Sequence, residues 1–320
     1  MPLYRSMERE INLKDFTAYR SVLMGVAIIF IMASHSLGRF ALYGNIGVEW
    51  FLIVSAIGQF YSLSKDNNTG RYYGKRLIRL LPAYLVVAIP FFLIKYPFSV
   101  KDFIIRITGL NLYFFWERTF WFVSLILICY LISPLYFKLV KKFRYSFIVP
   151  FILVAITFIL SFHMPRTQIL ITRIPIFLLG MNLGKWVYEG RIVEGRQSVF
   201  LCFAASVIAM IMVVLVNYVD VTVEIERLVY FFCGIPSLFL SLSIVKQISW
   251  IDGPLAFIGS VSYEIYLLHE SIVLALCLML PLPKVISVFI SYALAISLAY
   301  LLHLAISKLV ASPRSDLNNK

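Results

Sequence analysis

Apolar stretches of about 20 residues recur from one end of the chain to the other, and nothing else in the sequence narrows the possible folds as far. In hydrocarbon an unpaired backbone N–H or C=O is too costly to leave exposed, so only helices and closed barrels span a bilayer. Here the runs are continuous, which predicts an all-α, polytopic membrane protein. Ten segments have this character, at roughly 20–38, 46–63, 78–97, 119–138, 147–163, 168–187, 198–217, 228–246, 259–280 and 285–307. They imply about ten transmembrane helices in one membrane domain over residues 20–307, between a polar segment at 1–19 and a tail at 308–320.

Charge sets the expected orientation. With the N-terminus in the cytoplasm, 20 of the 29 Lys and Arg residues fall on the cytoplasmic side, so both termini are expected there. The net charge of +13 forms no continuous patch, and no nucleic-acid partner is expected. The four cysteines sit singly in apolar runs, without metal-site or disulfide spacing. The polar start argues against a removable signal peptide. Residues 98–118 are too charged to span and predict a helix that lies at the outer interface or dips back into the membrane. Residues 247–258, with Gly253-Pro254, predict a cytoplasmic loop.

A charged group at mid-bilayer costs at least about 2.5–3.5 kcal/mol, so each one kept there should face protein or water. His35 lies about 22 Å along a helix from Arg20, with Arg39 one turn on. Glu49 opens the next span, and a tight hairpin would bring it level with both. A carboxylate-oriented imidazole can take a proton from an attacking hydroxyl. An Arg39–Glu49 ion pair with His35 as a satisfied interfacial group fits the same residues. Ser34 and Ser36 point about 100° to either side of His35, which disfavours a Ser/His nucleophile.

In "GRYYGKRLIRLLPAYL", Arg76 and Arg79 share one helix face, suited to bidentate phosphate binding or simply to topological anchoring. Tyr263, Tyr266 and His269 cluster in "SVSYEIYLLHE", where Tyr266 and His269 share a face for hydrogen bonding or catalysis. Trp121, like Trp116, fits an aromatic belt. No residues are assigned to a metal.

In order, "MGVAIIFIMASHS", "GVEWFLIVSAIGQF", "YYGKRLIRLLPAYLV", "FWFVSLILICYLISPL" and "VSYEIYLLHE" resemble the signature stretches of acyltransferase family 3. That resemblance implies an integral enzyme of the bacterial cytoplasmic (inner) membrane. It would carry an acyl group, most often acetyl, from a cytoplasmic coenzyme A thioester such as acetyl-CoA to a hydroxyl of a surface polysaccharide or its lipid-linked precursor. Acyl-CoA is then a donor substrate, with no permanently bound cofactor. The expected partners are membrane lipid, the donor and a glycan or lipid-linked saccharide acceptor. By the same resemblance His35 is catalytic with Glu49 supporting it, and Arg76 and Arg79 hold the donor. Arg39, Trp121, Tyr263, Tyr266 and His269 complete the polar core. Two departures stand out. Met24 occupies a position where the family commonly has Arg or Lys, and Ser55-Ala56 replaces a Ser-Gly pair. A transporter of saccharide intermediates and a non-catalytic member of the family are the competing expectations.

Overall fold

The structure, a computed structural model, describes residues 10–36, 41–219 and 221–315. Its main helices are α1 (Arg20–Ser36), α2 (Ala41–Lys65), α3 (Thr69–Lys95), α4 (Trp121–Lys142), α5 (Ile148–His163), α6 (Ile174–Tyr188), α7 (Arg196–Tyr218) and α8 (Val223–Val245). A broken segment follows: α9 (Asp252–Ser260), α10 (Ser262–Leu268), a π turn at His269–Leu274 and α11 (Ala275–Leu278). The long α12 (Lys284–Ser315) comes last. The protein is therefore an all-α, multi-pass membrane protein. Among the described residues seven helices are long and apolar enough to cross a bilayer, or eight if the segment bent by 60° at Ser260–Ser262 is one span. Helices α1 and α5 are apolar but shorter. The stretches expected to span fall on these helices, ten having been expected where seven or eight meet the length and apolarity of a span.

Close backbone approach organises the bundle. A Cβ at Gly44 or Gly47 of α2 would run into the carbonyl oxygens of Phe30 or Ala27 on α1, and one at Gly180 of α6 would meet Ile53 of α2. Small residues at such crossings let helices pack tightly where water supplies no driving force. Helix α2 is consequently enclosed on several sides, with Trp50, Leu52, Ile53, Val54, Ala56 and Ile57 buried. Its Trp50 indole donates to Ser237 Oγ on α8 at 2.9 Å.

Three details differ from the sequence expectations. Helix α3 begins nine residues before the expected 78, so "GRYYGKRLIRL" is helical; Asn68 caps it by accepting from the Arg71 N–H at 2.9 Å. Asp66 anchors the same turn, its carboxyl held below the ordinary value by the Asn68 N–H and then by Arg71. The segment 247–258, expected as a loop, is a 3-10 turn at Ser249–Ile251 running into α9. Pro254 is tolerated because its missing N–H falls in the first turn, where donors lack intrahelical acceptors anyway. Finally, Glu10–Asn12 and Ile192–Glu194 pair as a short antiparallel ribbon.

Helix α9 crosses α1 almost backbone to backbone. A Cβ at Gly25 would strike the Leu255 carbonyl, and one at Gly259 the Ser21 carbonyl. Gly259→Val is therefore expected to destabilise the fold by about 1–3 kcal/mol or more through overpacking. A lowered thermal midpoint in detergent is the readout, and an unchanged one would contradict this crossing.

Candidate functional site

His35 lies on the penultimate residue of α1, and its Nδ1 is 3.2 Å from Glu270 Oε1. The carboxylate beside the imidazole is thus Glu270, and Glu49 lies elsewhere. The π turn that carries His269 and Glu270 departs from α-helical register, a departure that recurs at functional sites. The rings of His35 and His269 stand 5.3 Å apart, centroid to centroid. His269 is buried, with Nδ1 at 3.1 and 3.0 Å from the carbonyl oxygens of Ile265 and Tyr266. Carbonyls only accept, so Nδ1 carries the proton and Nε2 keeps its lone pair; that Nε2 is buried without a partner.

His35 and Glu270 open on a cavity of about 460 Å³, within the usual size range of small-molecule sites. His35, Glu270, Trp121, Tyr266, Lys95 and Arg118 are among its lining residues. The Tyr266 hydroxyl accepts the Phe122 N–H at 3.0 Å, tying α10 to the start of α4. Just before α4, Phe120 has φ 57°, and Trp116 has φ 58°. Left-handed backbone is unfavourable for bulky side chains, and such strain concentrates where a wall must be held in one shape. Next in sequence to the lining Arg118, Glu117 accepts from Arg106 at 3.0 Å, and the Arg106 guanidinium stacks on Tyr96 at 4.0 Å. Hydrogen bonding to Glu117 raises the Arg106 pKa above its ordinary value.

Glu49 belongs to a buried ionic core that reaches the cavity through Arg227. Its Oε1 is 3.1 Å from Arg173 Nε and 3.8 Å from Arg227 Nη1, and the Glu49 and Arg173 side chains are only 3% and 1% exposed. Arg173 also lies over the Trp121 ring at 4.8 Å. The expected grouping of Glu49 with His35 is replaced because α6 and α8 bring guanidinium groups to Glu49 from far along the chain. Arg39 lies outside the described residues.

A second polar centre lies at the opposite end of α1. Arg20, Arg76 and Arg79 lie within electrostatic reach of one another and of Tyr130. The Arg76 guanidinium sits 5.4 Å from the Tyr72 ring centroid and 6.0 Å from that of Tyr130. Among the described residues none of the three forms an ion pair, and Nε of both Arg20 and Arg76 is buried without a hydrogen bond. Three converging cations without a carboxylate make a dock for an anion such as phosphate. Met24 is buried in the core one turn along α1 from Arg20.

Between the two centres runs a series of phenols. Tyr130 and Tyr266 both lie near Tyr263. The Tyr263 hydroxyl donates to the Leu80 carbonyl at 3.1 Å, beside Arg79 in sequence. The cavity itself does not reach Arg76 or Arg79, which are absent from its lining.

Sequence reasoning grouped His35 with Arg39 and Glu49 and treated Trp121, Tyr263, Tyr266 and His269 as further polar-core candidates; His35, Trp121 and Tyr266 line the cavity, and the His269 ring stands beside that of His35. It passed over Glu270, whose signal was adjacency to His269, and over Arg20, Arg173 and Arg227. For a metal, His35, His269 and Glu270 offer ligand atoms within 4.8 Å of one another. A tetrahedral zinc with bonds of about 2.0–2.2 Å needs its ligands about 3.4 Å apart, so this trio is wider than such a site. In comparison with known proteins, the family model described as an acyltransferase domain matches residues 21–304. No curated protein and no solved structure showed a match.

Proposed function

The chain belongs to the acyltransferase family whose domain it matches, and from that premise we propose that it is a membrane O-acyltransferase of glycans. It takes an acyl group, most simply acetyl, from a coenzyme A thioester on the cytoplasmic side and delivers it to a hydroxyl of a surface polysaccharide or its lipid-linked precursor. The observation that carries this reading is the 3.2 Å His35–Glu270 pair opening on a cavity large enough for a sugar.

Glu270 accepts from the His35 Nδ1–H, which leaves the Nε2 lone pair free for the acceptor hydroxyl. As the hydroxyl oxygen bonds to the thioester carbonyl carbon, its proton passes to Nε2. The carbon–sulfur bond breaks, the departing thiolate takes that proton from Nε2, and coenzyme A leaves as the thiol. Arg20, Arg76 and Arg79 hold the donor's phosphates at the other end of α1. The phenols of Tyr130, Tyr263 and Tyr266 mark the line along which the acyl arm reaches the cavity, and their side chains must part to admit it. The protein has both termini in the cytoplasm of a bacterium and spans its inner membrane.

Purified protein in nanodiscs, given radiolabelled acetyl-CoA and a mixed surface polysaccharide, is expected to place label on the glycan as a base-labile ester. Arg76→Ala and Arg79→Ala are expected to raise KM for the donor about tenfold or more, each removing a charge-assisted phosphate contact. Failure to bind any acyl-CoA, with the polysaccharide still bound, would favour transport over transfer.

A further inference from the structure

The His35 cavity gathers positive charge at the end of the bundle where the charge bias of the sequence is weakest. Lys95 ends α3, Arg118 lies in the segment before α4, and Arg227 is in the first turns of α8; all three line the cavity. Glu270 is the one carboxylate among the described lining residues, and it faces His35. The Lys95 ammonium lies over the rings of Phe91 and Tyr96, at 5.0 and 5.4 Å, and interacts electrostatically with Glu270. Arg118 is exposed and forms no ion pair among the described residues.

Arg227 is the least exposed of the three, its side chain 9% exposed. Its contact with Glu49 is long, at 3.8 Å, because Arg173 holds the same carboxylate oxygen at 3.1 Å. Nε and Nη1 of Arg227 are left without hydrogen bonds. Glu226, the other carboxylate near this core, accepts from Asn45 at 3.0 Å. Even with Glu49 and Glu226 set against Arg173 and Arg227, Lys95 and Arg118 outnumber Glu270. A guanidinium fork with unused donors, a second guanidinium and an ammonium around one cavity are the groups that recognise an oxyanion. Trp121, Phe51 and Phe122 in the same lining supply the flat apolar faces against which a sugar ring packs.

We propose that this cavity binds a saccharide carrying a fixed negative charge, a phosphate or a carboxylate, held by Lys95, Arg118 and Arg227 with its hydroxyl toward His35. The identification of this ligand as the acceptor rests on the acyl-transfer reading; the anion site does not. Two sources share the chemistry. One is the diphosphate of a polyprenyl-linked sugar, and the other is an acidic sugar within a polysaccharide.

The test is equilibrium binding to the full chain in a neutral detergent without acyl donor. The probes are a polyprenyl-diphosphate sugar, a glucuronate oligosaccharide and a neutral oligosaccharide of equal length. At least one charged probe is expected to bind about tenfold or more tightly than the neutral one, as charge-assisted hydrogen bonds give, with the preference shrinking as salt rises. Which charged probe prevails identifies the source. The double variant Lys95→Gln/Arg118→Gln is expected to lose the preference while keeping the wild-type thermal midpoint; a variant that does not fold is replaced by the salt series on the wild-type protein. Equal binding of charged and neutral probes overturns the proposal. So does displacement of the charged probe by coenzyme A alone in an Arg76→Ala/Arg79→Ala background, which would make the cavity a donor site. Charge-selective binding without any acyl transfer in the nanodisc assay leaves the anion site standing and removes the transferase reading instead.

Discussion

Membranes carrying His35→Ala are expected to incorporate acyl groups about 10²–10⁴-fold more slowly than wild type, the range over which a positioned general base acts. His35 is the lining imidazole with a carboxylate on Nδ1, so its Nε2 is the lone pair an acceptor hydroxyl can use. His269 cannot substitute. Its ring is buried and is not among the residues lining the cavity, so its Nε2 lone pair is closed off from an acceptor hydroxyl. Glu270→Gln separates positioning from chemistry. Glutamine can still accept from Nδ1–H but carries no charge to stabilise the imidazolium that forms. It should lower kcat with little change in KM for the acceptor, and an effect on KM alone would assign Glu270 to binding. Incorporation by His35→Ala at the wild-type rate removes His35 from the reaction.

Glu49→Ala is expected to destabilise the protein by about 3–5 kcal/mol, the penalty for leaving one side of a buried ion pair uncompensated. Arg173 would lose its only carboxylate contact among the described ion pairs, at a site where it is 1% exposed. Trp121, which stacks on Arg173, would lose its backing. The measurement is thermal unfolding in detergent together with the amount of protein recovered from membranes. Replacing both partners by apolar residues of similar size, as in Glu49→Leu/Arg173→Met, should restore part of the loss. A Glu49→Ala protein of wild-type stability but without activity would return Glu49 to the chemistry, the role its sequence position suggested.

The membrane architecture was legible because hydrocarbon leaves the backbone so few options that length and apolarity nearly suffice. Helices α2 to α8 and α12 lie where the apolar runs lie. The departures arose where a local signal outweighed composition. Asn68 capped a basic stretch into α3, and Gly253-Pro254, a breaker inside a helix, fitted harmlessly into the first turn of α9. In the site, His35, Tyr266 and His269 were visible as polar residues that an apolar segment has no reason to keep. Their partners were not. Whether Glu49 or Glu270 meets His35 depends on how α10 is bent and on the π turn, and neither has a marker in residue spacing. Arg173 and Arg227 were hidden for a related reason. Each reads as an isolated cation near a span end, and only the packing of α6 and α8 against α2 joins them to Glu49.

The central claim is that an acyl group enters at the arginine end of α1 and leaves at His35. Sealed vesicles of defined orientation, loaded with acceptor glycan on the His35 side, test it directly. Radiolabelled acetyl-CoA supplied only on the Arg76 side should yield labelled glycan inside, at a rate that falls with Arg76→Ala and falls about 10²–10⁴-fold with His35→Ala. Labelling that requires donor and acceptor on the same side, or that keeps its wild-type rate in His35→Ala, would contradict the account.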